Sequence, residues 1–228
     1  MKSQYDEKYV DIIEAYEKNF DSLELFYKTI ISFFEGRSLK KVVHSIRHRL
    51  KDVDHLLEKV ERKNLENENK NISEQLEPIN ATNLFDRVTD MAGVRVLHLH
   101  QKQFQIIHDA IMTKVREGDF YLFEQPKAYT WDPDSKKFFS SLDIGTSQKE
   151  SFYTSIHYVL KPNSRSSITC EVQVRTLLEE VWGEIDHNMN YPTPSEDEYC
   201  LENIRILARL VSTGSHLADS IMRRYGKE

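Results

Sequence analysis

Glu171-Val-Gln173-Val-Arg175-Thr176 alternates with period two. On an extended chain Glu171, Gln173 and Arg175 share one face, and Val172 and Val174 share the other. The valine face calls for a core. A carboxylate, an amide and a guanidinium have no packing reason to sit together in a strand flanked by apolar residues, so the polar face addresses a site. Upstream, Tyr153-Thr-Ser155-Ile-His157-Tyr158 repeats the pattern, with Tyr153, Ser155 and His157 on one face. Pro162-Asn-Ser-Arg-Ser lies between the two strands and reads as the turn of a hairpin.

Outward from this pair, Gly93 to Leu99 reads as a buried strand, followed by a helix with Phe104, Ile107, Ile111 and Val115 on one side. Tyr9 to Phe34 carries apolar residues at helical spacing, and Gly36 marks a stop. Ile46 to Lys51 reads as a short strand, and Asp52 caps a helix with the stripe Val53, Leu56, Leu57, Val60. Residues 64–83, rich in Asn and Glu, read as a loop or flap, as do residues 130–150. Phe120 to Phe123 is a further strand. Helices are expected from Leu177 to about Asn188 and from about Glu196 to Tyr225, with Tyr191-Pro-Thr-Pro as the break between them. The order is that of an α/β (α+β) protein, a mixed sheet with helices packed on it, and not of a regularly alternating parallel sheet.

The chain has 228 residues, 39% hydrophobic and 30% charged, enough for a sizeable core. No apolar run is long enough to span a bilayer, and the polar N-terminus lacks the apolar stretch of a secretory signal. With only Cys170 and Cys200, a reduced, cytoplasmic setting is the simpler expectation. The net charge of −6 argues against a protein that coats nucleic acid. Yet Arg37 to Lys63 holds nine Lys/Arg against four Asp/Glu. A solvated helix face is the common reading of such a run; a pocket for nucleotide phosphates is the sharper one.

Three constellations carry chemistry. Asp90 stands just before a buried strand, and Glu171 on the polar face of another; two such carboxylates can hold Mg²⁺, whose remaining ligands are phosphate oxygens. Arg95, a cation inside a buried strand, needs a carboxylate or a ligand. Arg49, Lys51, His55 and Lys59 follow a strand-to-helix spacing. His55 and Lys59 share a helix face, and the helix N-terminus adds positive charge. No G-x-x-x-x-G-K-[ST] occurs, which excludes a P-loop enzyme. Tyr153 reads equally well as a base-stacking ring or a half-buried strand tyrosine. Glu184, His187 and Asn188 share one helix face. Nothing has zinc-site spacing.

Over residues 40–192 the motifs occur in the order of a known family: Arg49-x-Lys51 with Lys59, Asp90-x-x-Gly93-x-Arg95, Tyr153-x-Ser155-x-His157, Glu171-x-Gln173-x-Arg175-Thr176 and Trp182-x-Glu184-x-x-His187. The chain resembles the synthetase domain of RelA/SpoT homologues and, in size, the stand-alone small alarmone synthetases. The resemblance implies a nucleotidyltransferase-like mixed sheet of about five strands. It implies one synthetase domain over 1–228: N-terminal helices to 40, a catalytic core over 41–192, a C-terminal helix over 193–228. It implies transfer of pyrophosphate from ATP to the 3′-hydroxyl of GDP or GTP, with Asp90 and Glu171 as metal-binding and catalytic residues. ATP would meet Arg49, Lys51, His55, Lys59 and Arg95. The acceptor pocket would draw on Lys149, Tyr153, Ser155, His157, Gln173, Arg175, Glu184, His187 and Asn188. Toxic relatives modify the 3′ end of tRNA instead; Arg205, Arg209, Arg223 and Arg224 on the last helix could contact such an acceptor, though a solvated helix face is the commoner reading. A homo-oligomer built on the Tyr- and Phe-rich terminal helices is compatible with the sequence. Three positions depart from the family pattern: Phe152 where Gly usually precedes the tyrosine, His55 where Ser is frequent, and Pro192 where Lys is common.

Overall fold

The computed structural model describes residues 7–190 and 195–225. Helix α1 (Val10–Glu35) ends at Gly36, as its spacing predicts. Its apolar face, with Leu23, Ile30 and Phe34 fully buried, lies on the valine side of a mixed sheet. The strands are β1 (Ser45–Leu50), β2 (Ala92–His98), β3 (Tyr121–Leu122), β4 (Lys127–Tyr129), β5 (Gly145–Ser147), β6 (Ser155–Lys161) and β7 (Cys170–Thr176). Their order is β1-β2-β7-β6-β4-β5, with β3 on β6. The predicted hairpin is present as the antiparallel pair β6–β7, and β2 runs parallel to β7. The sheet has seven strands, because two very short ones, β4 and β5, join the five read from the sequence.

Helix α2 (Val53–Glu68) is capped by Asp52, whose side chain accepts from the His55 N–H. It carries the chain five residues, 64–68, into the expected loop. The asparagines there act locally rather than as a flap. Asn67 is buried and holds Leu76 through both its amide groups, and Asn64 Oδ1 accepts from the Ile79 N–H at 2.8 Å. After the short α3 (Leu84–Arg87), α4 (Gln101–Glu117) packs Phe104, Ile107 and Ile111 into the same core as α1. The expected loop over 130–150 contains helix α5 (Pro133–Ser140), capped by Asp132 and opened by a proline at its first position, and the strand β5. Helices α6 (Leu177–Asn190) and α7 (Glu198–Tyr225) follow. The expected break at 191–194 and the departure at Pro192 lie outside the described residues. Among the described residues no helix is long and apolar enough to cross a membrane. Both cysteines are free, and Cys170 is buried.

Buried His98 carries a pH prediction. Burial pushes its pKa down to about 4, so it is neutral in the fold. Below pH ~6.5 the unfolded chain takes up a proton that the folded one refuses. Stability is therefore expected to fall as pH drops from ~6.5 towards 4, and this loss ends once the folded imidazole also charges. The contribution is ~3 kcal/mol at most. Melting temperatures from pH 8 to 4 should slope less in His98→Gln than in the wild type.

Candidate active site on the polar sheet face

Strand register aligns the predicted residues in rows. Arg49 lies opposite Gly93 and Gly93 beside Glu171, while Arg47, Arg95, Gln173 and His157 make the next row. A Cβ at Gly93 would meet nothing within 4 Å, so the floor between Arg49 and Glu171 is open. Two adjoining clefts lie over it. One, about 740 Å³, is lined by Arg49, Lys51, His55, Lys59, Arg62, Asp90 and His187 among others. The other, about 360 Å³, is lined by Arg49, Asp90, Gly93, Arg95, Glu171, Gln173, Glu184 and His187 among others. A small cavity of about 40 Å³ beneath α7 holds none of the predicted residues and cannot admit a nucleotide.

Asp90 sits where the clefts meet. Its Oδ2 is 2.5 Å from Lys59 Nζ and 3.5 Å from Lys51 Nζ. Burial pushes the carboxyl up, and the two lysines more than reverse this, leaving it below the ordinary carboxylate range. Lys51 is nearly buried, and burial holds its amine below the usual value despite Asp90, with Lys59 and Arg49 adding to the effect. Three cations thus surround one carboxylate, an excess that a phosphate chain would neutralise. His55 is tied to Asp52 by its backbone and ring, so it stands at the head of α2 with its orientation fixed.

Glu171 is anchored at both oxygens. Oε1 is 3.1 Å from His157 Nδ1, and Gln173 Nε2 donates to Oε2 at 2.8 Å. Behind them the contacts close a ring. His157 Nε2 is 3.0 Å from the Tyr153 hydroxyl, and Arg175 Nη2 donates both to that hydroxyl at 2.5 Å and to Gln173 Oε1 at 2.7 Å. One proton assignment satisfies every contact: both protons of Arg175 Nη2 start a donor chain, and both chains end on the Glu171 carboxylate. Burial raises the Glu171 pKa, but the His157 and Gln173 contacts outweigh it, so the group stays ionised; nearby Asp90 opposes them.

Asp90 and Glu171 therefore face one cleft and feel each other's charge. Asp90 Oδ1 is buried with no hydrogen-bond partner, an orphaned acceptor of the kind a bound cation would satisfy. Among the described residues no cluster of three or more His, Cys, Asp and Glu is arranged to hold a metal. Two carboxylates fit a hard ion that keeps its other positions for water and phosphate oxygens, the habit of Mg²⁺.

Arg95, the buried strand cation, finds carboxylates: its Nη1 donates to Glu180 and to Glu184, each at 2.7 Å. Glu180, nearly buried, also meets Arg47 at 3.2 Å and Arg175 at 3.3 Å. Sequence reasoning missed this residue. The available signal was the spacing Glu180-x-x-x-Glu184, one helix face, directly after a strand carrying Arg175. The start of α6 was also legible as Thr176-x-x-Glu179, a capping box in which each residue's side chain accepts from the other's N–H. Gly183 is required for this approach, since a Cβ there would meet Arg175 Nη1 at 2.6 Å.

Other predicted residues stand further from the clefts. Ser155 is fully buried and accepts from Arg175 Nε at 3.1 Å, so it braces the ring rather than lining the pocket. Asn188 is exposed and donates back to the Glu184 carbonyl, away from the cleft walls. Lys149 lies over the Tyr129 ring, which in turn abuts Tyr153 and His157. Of the arginines expected for a tRNA acceptor, Arg205 donates to the Glu150 carbonyl, Arg209 lies over Phe152, and Arg223 pairs with Asp219.

The seven-stranded mixed sheet flanked by helices, with an open face that gathers carboxylates between cations, defines an α/β protein with a charged cleft over its sheet. Residues 48–196 match the family described as the region found in RelA / SpoT proteins. The chain belongs to that family. GTP pyrophosphokinase YjbM of Bacillus subtilis (strain 168) is 23% identical over 191 residues, covering 82% of this chain and 74% of that protein. The crystal structure of small alarmone synthetase 1 from Bacillus subtilis superposes with a TM-score of 0.61 at 19% identity, covering 98% of this chain and 100% of that one. A GTP pyrophosphokinase family protein from Streptococcus pneumoniae gives 0.61 at 18%, covering 94% and 92%. A further structure of the Bacillus synthetase, bound to its product pppGpp, gives 0.60 at 21%, covering 98% and 100%.

Proposed function

We propose that this protein is a GTP/GDP 3′-pyrophosphokinase, which moves pyrophosphate from ATP to the 3′-hydroxyl of GDP or GTP and yields (p)ppGpp and AMP. The observation that carries this reading is the shared cleft of Asp90 and Glu171, opening onto the cationic cleft of Arg49, Lys51 and Lys59. Membership of the RelA/SpoT family and the pppGpp-bound relative support it.

Arg49, Lys51 and Lys59 bind the ATP phosphates, with His55 held at the head of α2. Asp90 and Glu171 would hold Mg²⁺, which would supply charge neutralisation for the transferring pyrophosphoryl group. The acceptor stacks on Tyr153 and presents its 3′-oxygen. That oxygen attacks the β-phosphorus; the bond from β-phosphorus to the α–β bridging oxygen breaks, AMP leaves with that oxygen, and the acceptor proton passes to Glu171. A carboxylate held below its ordinary pKa is a good cation ligand and a weak base. Charge neutralisation and positioning are therefore the larger contributions, with base catalysis supplying ~10²–10⁴-fold.

Incubation with γ-labelled ATP and either GDP, GTP or deacylated tRNA tests the reading. Label is expected on the guanine nucleotide, with AMP released in equal amount. Label on tRNA alone, or ATP cleaved without transfer, would refute it.

A further inference from the structure

Phe152 adopts φ +65°, a backbone conformation that side-chain-bearing residues rarely take. Something must hold it there. Its ring stacks on Trp131, with centroids 5.0 Å apart and planes 19° apart, and the Arg209 guanidinium lies 5.5 Å from its centre. Arg209 belongs to α7. The same helix holds Asp132, beside Trp131, through Ser212 and His216, each at 3.1 Å. It also binds the loop itself, since Arg205 Nε donates to the Glu150 carbonyl at 3.3 Å. One helix therefore meets the Phe152 ring, the residue that follows Trp131, and the backbone between Lys149 and Tyr153.

We propose that Phe152 is a positioning residue for the acceptor nucleotide, and that α7 is the clamp that fixes it. This rests on the reading of Tyr153 as the acceptor platform. Tyr153 follows Phe152 directly and precedes β6, so no ladder bond of that strand sets its place. Its backbone continues directly from that of Phe152, its ring meets Tyr129, Trp182 and the Arg175 guanidinium, and its hydroxyl enters the ring of contacts behind Glu171. Phe152 is not among the described residues that line the two clefts. Its influence is thus confined to the acceptor half of the site. A glycine could take the same φ without cost but would offer no ring to Trp131 or Arg209, so the two contributions, backbone conformation and clamp, can be separated.

The test is steady-state kinetics on the full chain, varying GDP at saturating ATP and ATP at saturating GDP. Phe152→Gly is expected to raise KM for GDP about tenfold and to leave KM for ATP and kcat within about twofold. Phe152→Tyr, which keeps the stack, should restore the wild-type value. Arg209→Ala, on the exposed flank of the clamp, should raise KM for GDP about threefold in a fully folded protein, by loss of the cation–π contact. Unchanged KM for GDP in Phe152→Gly and Arg209→Ala overturns the clamp while leaving the enzyme assignment standing. An equal rise of both KM values that tyrosine does not correct also overturns it. Tyr153→Ala with unaltered KM for GDP overturns the underlying acceptor reading, and the clamp falls with it.

Discussion

Glu171→Gln is expected to lower transfer by ~10²–10⁴-fold without unfolding the protein. The substitution preserves volume but replaces one acceptor oxygen by an NH₂ group. In the wild type both oxygens receive donors, from His157 and from Gln173. A glutamine can accept at only one of them, so one arm of the ring must break. It also removes the charge that faces Asp90 across the cleft. Asp90→Asn should lose kcat to a similar extent but differ in a second reading. Asp90 lies between Lys51 and Lys59, so removing its charge leaves those cations freer for phosphate, and KM for ATP should not rise. Initial rates at varied ATP, with circular dichroism to confirm folding, check both. A Glu171→Gln enzyme with more than a tenth of wild-type kcat would remove Glu171 from the chemistry.

The hairpin, α1 and the capped start of α2 were legible because each is written in local pattern: period two, helical spacing, an Asp before an apolar stripe. The polar strand faces were legible for the same reason, and strand register then carried them across the sheet into rows. Helix α5 was hidden by its own start signal, since Asp132-Pro133 reads as a turn until the Asp132 side chain is seen to cap Ser135. The asparagines of residues 64–83 looked like loop composition, yet their amides replace backbone partners in a folded segment. Ser155 shares the polar face with His157, as the period predicts, but it is fully buried beneath Arg175, and no local pattern reports that burial. Glu180 was legible only as half of the helix-face pair Glu180-x-x-x-Glu184, and its role was not. Its partners come from three strands, at sequence distances of 133, 85 and 5 residues, and no local pattern reports such a convergence.

That convergence makes Glu180→Ala the substitution with the largest expected cost in stability. Arg47 and Arg95 would keep Glu184, which meets both. Arg175 would not: its side chain is 5% exposed, and among the described residues the carboxylate it pairs with is Glu180. Truncation therefore leaves a buried guanidinium without a counter-charge, a change worth ~3–5 kcal/mol. For a chain of this size that corresponds to a fall in Tm of ~10 °C. Glu184→Ala provides the contrast, because half-exposed Glu184 loses contacts that water replaces, at a cost below ~1 kcal/mol. The two variants together separate burial from charge. Thermal melts decide the stability claim, and kcat measured below both transitions decides the functional one. Arg175 feeds both donor chains that end on Glu171, so an Arg175 released from Glu180 should also depress transfer in the protein that remains folded. A Glu180→Ala protein that melts with the wild type would mean that Arg175 finds its counter-charge elsewhere, and the ring behind Glu171 would then lose its anchor in this account.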